Sequence, residues 1–168
     1  ALANASSRHG VSIMWCMSYP NILLQSVEFK AATHARGSAD SHPGGRNYRN
    51  FGGASTVLWA LGLWPFKDTF YTNTTTQNSS NIPFNYDGFP HFEPEPWTHT
   101  VVSALSGGGV APGDVIGGSD VGLILMTCRA DGVLLKPSSP AVYIDRVWEA
   151  CFSALCVGHD VARMYGEV

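Results

Sequence analysis

At 168 residues with 45% hydrophobic side chains, the chain has the length of one ordinary domain and enough apolar material for a core, so disorder over most of it is not expected. The formal net charge is only −3 and the ten Lys and Arg are scattered, which leaves no basic footprint for nucleic acid or an anionic membrane surface. No window reaches the roughly 18 apolar residues of a membrane span, the longest run being residues 57–64, so a protein partner or a neutral ligand fits best.

Residues 11–17 (VSIMWCM) form a continuous apolar run of strand length, predicting a strand buried on both faces as in a parallel sheet. Cys16 within it reads as a small buried hydrophobe. Tyr19-Pro20 ends the run, and residues 21–29 place Ile22, Leu23, Leu24 and Val27 at the spacing of a short helix. Residues 31–36 predict a second strand, which ends in Arg36-Gly37-Ser38-Ala39-Asp40 before the loop Ser41-His42-Pro43-Gly44-Gly45. A second helix is expected over residues 47–63, framed at its end by Gly62 and Pro65. Residues 66–72 (FKDTFYT) predict a third strand carrying Asp68.

Residues 73–96 are rich in Thr, Asn, Ser and Pro and show no periodicity, a long excursion of the kind used as a lid or an insertion. Helix returns over residues 97–105, and residues 107–114 (GGGVAPGD) predict a fourth strand end carrying Asp114. A further apolar helix over residues 120–128 is closed by the turn Asp131-Gly132, after which residues 133–135 start an extended segment. This alternation of strand and helix predicts an α/β fold with a parallel sheet. It suggests about four βα units of a partial (β/α)8 barrel, since a closed barrel needs about 250 residues. The division is residues 1–140 for that unit, and residues 141–168 for the beginning of a C-terminal β region.

Asp40, Asp68 and Asp114 all fall at or near predicted strand ends, where side chains of α/β proteins project into ligand-binding loops. Asp40 reads either as a general acid and base or as a loop aspartate paired with Arg36 for structure. Arg36 would orient that acid or bind a hydroxyl, and otherwise forms an ordinary salt bridge. Asp68 and Asp114 are candidates for binding hydroxyl groups, with turn capping as the alternative for Asp68. His34 and His42 flank the motif and offer further hydroxyl contacts, or serve structure alone. Trp15 and Trp64 suit a sugar-stacking role, although Trp64, which ends an apolar helix, fits the core better. Gly107 to Gly109 lack a following Lys-Ser/Thr, so a phosphate loop is rejected. Asp120, Asp131 and Asp145 read as cap or turn residues.

The four cysteines Cys16, Cys128, Cys151 and Cys156 contain no C-x-x-C pair and no His at ligand spacing, so no structural metal is expected. Cys151 and Cys156 are close enough to form a short disulfide loop, which spacing alone leaves open. Sequons at Asn4, Asn73 and Asn78 are compatible with a secreted, glycosylated protein.

Three stretches carry a family resemblance: CMSYPNILLQSVEFKAATHARGSADSHPG, STVLWALGLWPFKDTF, and VVSALSGGGVAPGDVIGGSDVGLILMTCRADGVLLKPSSP. Together, over residues 11–140, they resemble the later half of the catalytic barrel of clan D glycoside hydrolases, closest to the α-galactosidase and raffinose synthase-like families. The resemblance implies a cofactor-independent, retaining two-carboxylate hydrolase or transferase of α-galactosides, with Asp40 as acid/base. The segments VAPGD and CRADGVLLKP resemble the last barrel strand, the helix after it, and the exit towards the β region. The family's nucleophile is an Asp in a K-x-D strand end that nothing upstream of Val11 matches. The expectation is therefore a fragment of a secreted enzyme, whose partner is the missing barrel half from the same precursor or another chain. The alternative is a catalytically silent structural or carbohydrate-binding glycoprotein on the same scaffold.

Overall fold

The protein is described by a computed structural model over residues 2–42, 44–74 and 93–150. Three short strands, β1 (Ile13–Trp15), β2 (Ala32–Arg36) and β3 (Trp64–Phe66), form one parallel sheet in the order β1-β2-β3. The helices are α1 (Leu2–His9), α2 (Pro20–Ser26), α3 (Phe51–Ala60), α4 (Pro96–Leu105) and α5 (Val121–Leu125), and residues 145–150 are helical as well.

This sheet is open, and it corrects the expectation of four βα units of a barrel. The expected fourth strand, residues 107–114, contributes one isolated parallel bridge from Pro112 to Phe70 instead of a ladder. The physical reason lies in its composition, because glycines weaken a strand and Pro112 has no N–H to donate. The third strand also sits earlier than expected: β3 pairs Trp64, Pro65 and Phe66 with His34, Ala35 and Arg36. Pro65 is tolerated there because β3 is an edge strand of this sheet, with only one ladder to satisfy. Of the expected C-terminal β region, residues 145–150 are helical, and residues 151–168 lie outside the described residues.

Burial differs from expectation at β1. Its central Met14 is 57% exposed and Cys16 is exposed, so the apolar run is not covered on both faces. The core is small, built from Ala32, Ala35, Leu58 and Leu63, with Ile13, Trp15 and Leu23 packed against it. Leu58 of α3 and Leu63 cluster with the alanines of β2, and full burial of each is worth about 1.5–3 kcal/mol.

Local chemistry explains the helix ends. Pro20 and Pro96 stand in the first turns of α2 and α4, where a missing N–H costs nothing. The α3 helix stops at a Schellman turn: Gly62 takes φ +80°, its N–H donates to the Trp59 carbonyl, and the Leu63 N–H donates to the Leu58 carbonyl. That turn also seats Leu63 in the core beside Leu58 and aims the chain into β3. The Asp120 carboxylate caps α5 by accepting from the Leu123 N–H at 3.1 Å, as the sequence suggested. At the other end of α4, Lys136 Nζ donates to the carbonyls of Ser103 and Ala104.

Gly108 fixes how the 107–109 turn rests on the sheet. A Cβ there would stand 2.3 Å from Phe66 Cβ and 3.1 Å from Phe66 Cα, whereas Gly109 faces open space. Gly108→Ala is expected to lower stability by about 1–3 kcal/mol. Gly109→Ala should stay within about 0.5 kcal/mol in the same urea titration.

Candidate active site

The carboxyl ends of β1, β2 and β3 lie at one edge of the sheet, as parallel pairing requires. A cavity of about 410 Å³ opens there, lined by residues 16–19 after β1, residues 36–40 after β2, and Ala54 of α3. Ligands of open α/β sheets bind at this edge.

Arg36 is the fixed point of the site. Its side chain is only 6% exposed, and its two terminal nitrogens divide between two carboxylates. Nη2 donates to Asp40 Oδ1 at 2.6 Å, and Nη1 lies 3.1 Å from Asp68 Oδ2. Nη2 also reaches Met17 Sδ at 3.1 Å, and the Ser18 hydroxyl donates to the Arg36 carbonyl. Burial works against the guanidinium charge, but the hydrogen bond donated to Asp40 and the field of Asp68 outweigh it and raise the Arg36 pKa. A permanent cation thus sits under the cavity floor.

The two carboxylates differ in exposure. Asp40 is 65% exposed and lines the cavity, while Asp68 is 20% exposed. Asp68 also accepts the Ser41 N–H at 2.8 Å, and its own N–H donates to Ser38 Oγ at 2.9 Å. These two bonds bracket Asp40 in the chain.

The remaining sequence candidates are dispersed. Asp114 accepts the Thr72 N–H at 2.8 Å and the Thr72 hydroxyl at 2.6 Å, and that hydroxyl also accepts the Asp120 N–H. It joins residues 71–74 to residues 114–120. His42 lays its ring over Gly45, where a Cβ would meet it at 2.4 Å. His34 lies on β2, its Nδ1 2.7 Å from the Thr33 hydroxyl. Asn4 is exposed on α1, while Ser6 of its sequon is buried and donates to the Val11 carbonyl. Asn73 donates to the Gly118 carbonyl at 2.7 Å. Asn78, Cys151 and Cys156 lie outside the described residues.

The aromatic candidates are not in the cavity wall. Trp15 Nε1 donates to Ser26 Oγ at 2.8 Å, and Trp64 packs against Trp59 at an interplanar angle of 58°, with ring centroids 4.8 Å apart. Tyr19, exposed and lining the cavity, is the aromatic side chain the sequence reading missed. Its place directly after a predicted strand and before Pro20 was the available signal.

A second polar group lies buried behind the site. Lys67, Glu93 and His99 are each 1% exposed, and Lys67 Nζ donates to the carbonyls of Asp68 and Thr69. Burial pushes the Lys67 pKa down to about 8, against the opposing fields of Asp68 and Glu93. Burial likewise raises the Glu93 pKa, which the N–H groups of Glu95 and Gly44 partly oppose. Burial and the charge of Lys67 push His99 down to about 3. Its Nε2 lies 3.5 Å from Glu93 Oε1, and because the ring is neutral this contact is not an ion pair. Arg46 and the Tyr48 hydroxyl both bind Glu95, anchoring the chain ahead of α4 to the loop ahead of α3.

Among the described residues, no group of three or more His, Cys, Asp or Glu is placed to hold a metal ion, and no helix is long and apolar enough to cross a membrane. Comparison with protein-family models, curated proteins and solved structures finds no match to this chain.

Proposed function

We propose that this chain supplies the acid/base side of a retaining glycoside hydrolase or transferase acting on α-galactoside-type sugars, with Asp40 as the proton donor. The observation that carries this reading is the asymmetry of the Arg36–Asp40 pair. The cation is almost wholly buried while its carboxylate partner is largely exposed and lines a 410 Å³ cavity at the strand ends. A purely structural pair gains little from such an arrangement, since an exposed carboxylate contributes about 0–1 kcal/mol. A rigid cation that aims a carboxylate at a ligand space has a catalytic use.

In the reaction, the Asp40 carboxylic acid gives its proton to the glycosidic oxygen as the bond to the anomeric carbon breaks and the aglycone leaves. The resulting carboxylate then takes a proton from the water, or acceptor hydroxyl, that attacks the glycosyl–enzyme, and the acid is restored. The attacking carboxylate belongs to a segment beyond these 168 residues, contributed by the same precursor or another chain. On this reading the enzyme is secreted, with which the three sequons are compatible, and its chemistry needs no cofactor.

Turnover of an alkyl α-galactoside by the full-length protein tests the reading. Asp40→Asn is expected to lower kcat by on the order of 10²–10⁴ while leaving the fold intact. Equal turnover by the variant would remove Asp40 from the reaction, and no turnover by the wild type would leave the silent carbohydrate-binding scaffold as the better account.

A further inference from the structure

We propose that Asp68 is the positioning residue for Asp40, acting through the loop and the guanidinium that hold it and not on the sugar. The assignment rests on the acid/base reading of Asp40.

Four contacts meet at Asp68, and each bears on where Asp40 stands. Its Oδ2 contacts Arg36 Nη1 at 3.1 Å, which orients the guanidinium so that the other terminal nitrogen faces Asp40. The same oxygen accepts the Ser41 N–H at 2.8 Å, on the chain just after Asp40. Its backbone N–H donates to Ser38 Oγ at 2.9 Å, just before Asp40. Its carbonyl accepts Lys67 Nζ at 3.1 Å, and that ammonium is buried and inextensible, tying the whole arrangement to the end of β3.

The Asp40 loop by itself has few reasons to hold one shape. Residues 39–42 are outside any helix or strand, and Ala39 and Asp40 are exposed. A loop of this kind, with little burial, opens at low cost unless polar contacts restrain it. Asp68 supplies contacts on both sides of the acid from the segment just after β3, 27 to 30 residues away in the chain. It does not line the cavity, whereas Arg36, Ser38 and Asp40 do. A misplacement of about 1 Å in a reacting group can cost on the order of 10²-fold in rate, so a restraint of this type registers in kcat.

The test combines hydrogen exchange with a kinetic cycle in the full-length protein. Asp68→Asn keeps the volume and one acceptor oxygen but removes the charge that faces Arg36. Amide exchange at residues 38–41 is expected to accelerate at least tenfold in this variant, while exchange in α3 stays as in the wild type. Unchanged exchange at residues 38–41 overturns the positioning role whatever the enzyme's activity. In the kinetic arm, Asp68→Asn should lower kcat about 10–100-fold with KM within twofold, and add no further loss in the Asp40→Asn background. A raised KM, or a full additional loss in the double variant, would make Asp68 a substrate ligand and overturn the proposal. Loss of activity confined to Asp68→Asn, with Asp40→Asn fully active, would instead refute the acid/base reading. Ser38→Ala, which removes one tether and no charge, is expected to reproduce the faster exchange on a smaller scale.

Discussion

Replacing Arg36 with Met is expected to destabilise the protein by about 3–5 kcal/mol, the range for removing one partner of a buried ion pair. The loss arises mainly at Asp68, which is 20% exposed and would face a hydrophobic side chain in place of a guanidinium. Asp40 contributes little to it because its carboxylate is largely in water. The expected order is therefore steep on the cation side and shallow on the exposed side. Arg36→Met costs most, Arg36→Lys costs less but loses the fork that serves two carboxylates, and Asp40→Asn costs under about 1 kcal/mol. Urea denaturation at neutral pH measures all three. Equal destabilisation by Arg36→Met and Asp40→Asn would mean that the Arg36–Asp40 contact, and not the Arg36–Asp68 contact, carries the structural weight.

Acid sensitivity is the second large effect, and it traces to His99. The folded protein holds this ring neutral, with its pKa pushed down to about 3 from 6.5 by burial first and by Lys67 second. The unfolded chain protonates the ring as pH falls below 6.5, and the folded chain does not. Stability from this group is thus fully present above pH 6.5 and is lost progressively towards pH 3. Between pH 7 and pH 5 the loss is about 2 kcal/mol, a sizeable part of a stability of about 5–15 kcal/mol. Glu93 has the opposite sign: its pKa, raised by burial, lets the folded state take up a proton earlier, which offsets part of the loss as pH falls through that raised value. His34 is also lowered, by burial and then by Lys136, and adds to the acid sensitivity in the same direction. His99→Gln is expected to be less stable at pH 7 but to show a much flatter stability profile between pH 7 and 5. Parallel profiles for the two proteins would show that His99 already titrates at its ordinary value when folded.

The sequence carried the local rules well. Tyr19-Pro20 ends the first apolar run, Gly62 ends a helix, Asp120 caps one, and Arg36 closes a parallel strand with Asp40 beyond it. These signals act within a few residues, where dihedral preferences and capping dominate. The barrel expectation failed because an alternation of apolar runs counts candidate strands without showing which of them pair. Residues 107–114 look like a strand end by composition, yet they make only the bridge at Pro112. The apolar series through residues 57–66 concealed the turn that divides α3 from β3, so the strand was expected over residues 66–72 and not at Trp64–Phe66. Helix α1 escaped notice because LANASSRH is polar on average, with Leu2 its one large apolar side chain.

The site was legible in the same uneven way. Arg36 and Asp40 are four residues apart, and their pairing is a local matter. The role of Asp68 required knowing that β2 and β3 are neighbours in parallel register, which places its backbone beside Ser38. Glu93 was invisible for a related reason: it reaches Gly44, 49 residues earlier, from a polar stretch without periodicity. Tyr19 could have been marked as a ligand-facing aromatic from its position after β1, since it stands at the same sheet edge as Asp40.

The central claim, that Asp40 donates the proton to a departing glycosidic oxygen, is tested most directly by leaving-group dependence. Full-length wild type and Asp40→Ala are compared on two α-galactosides, one with an acidic nitrophenol leaving group and one with an alkyl alcohol. A nitrophenolate departs without a proton and an alkoxide does not, so the acid matters far more for the alkyl substrate. The expected result is that formation of the glycosyl–enzyme slows by on the order of 10²–10⁴ for the alkyl galactoside and by much less for the aryl one. Equal slowing on both substrates, or none on either, would contradict the assignment of Asp40 as the proton donor.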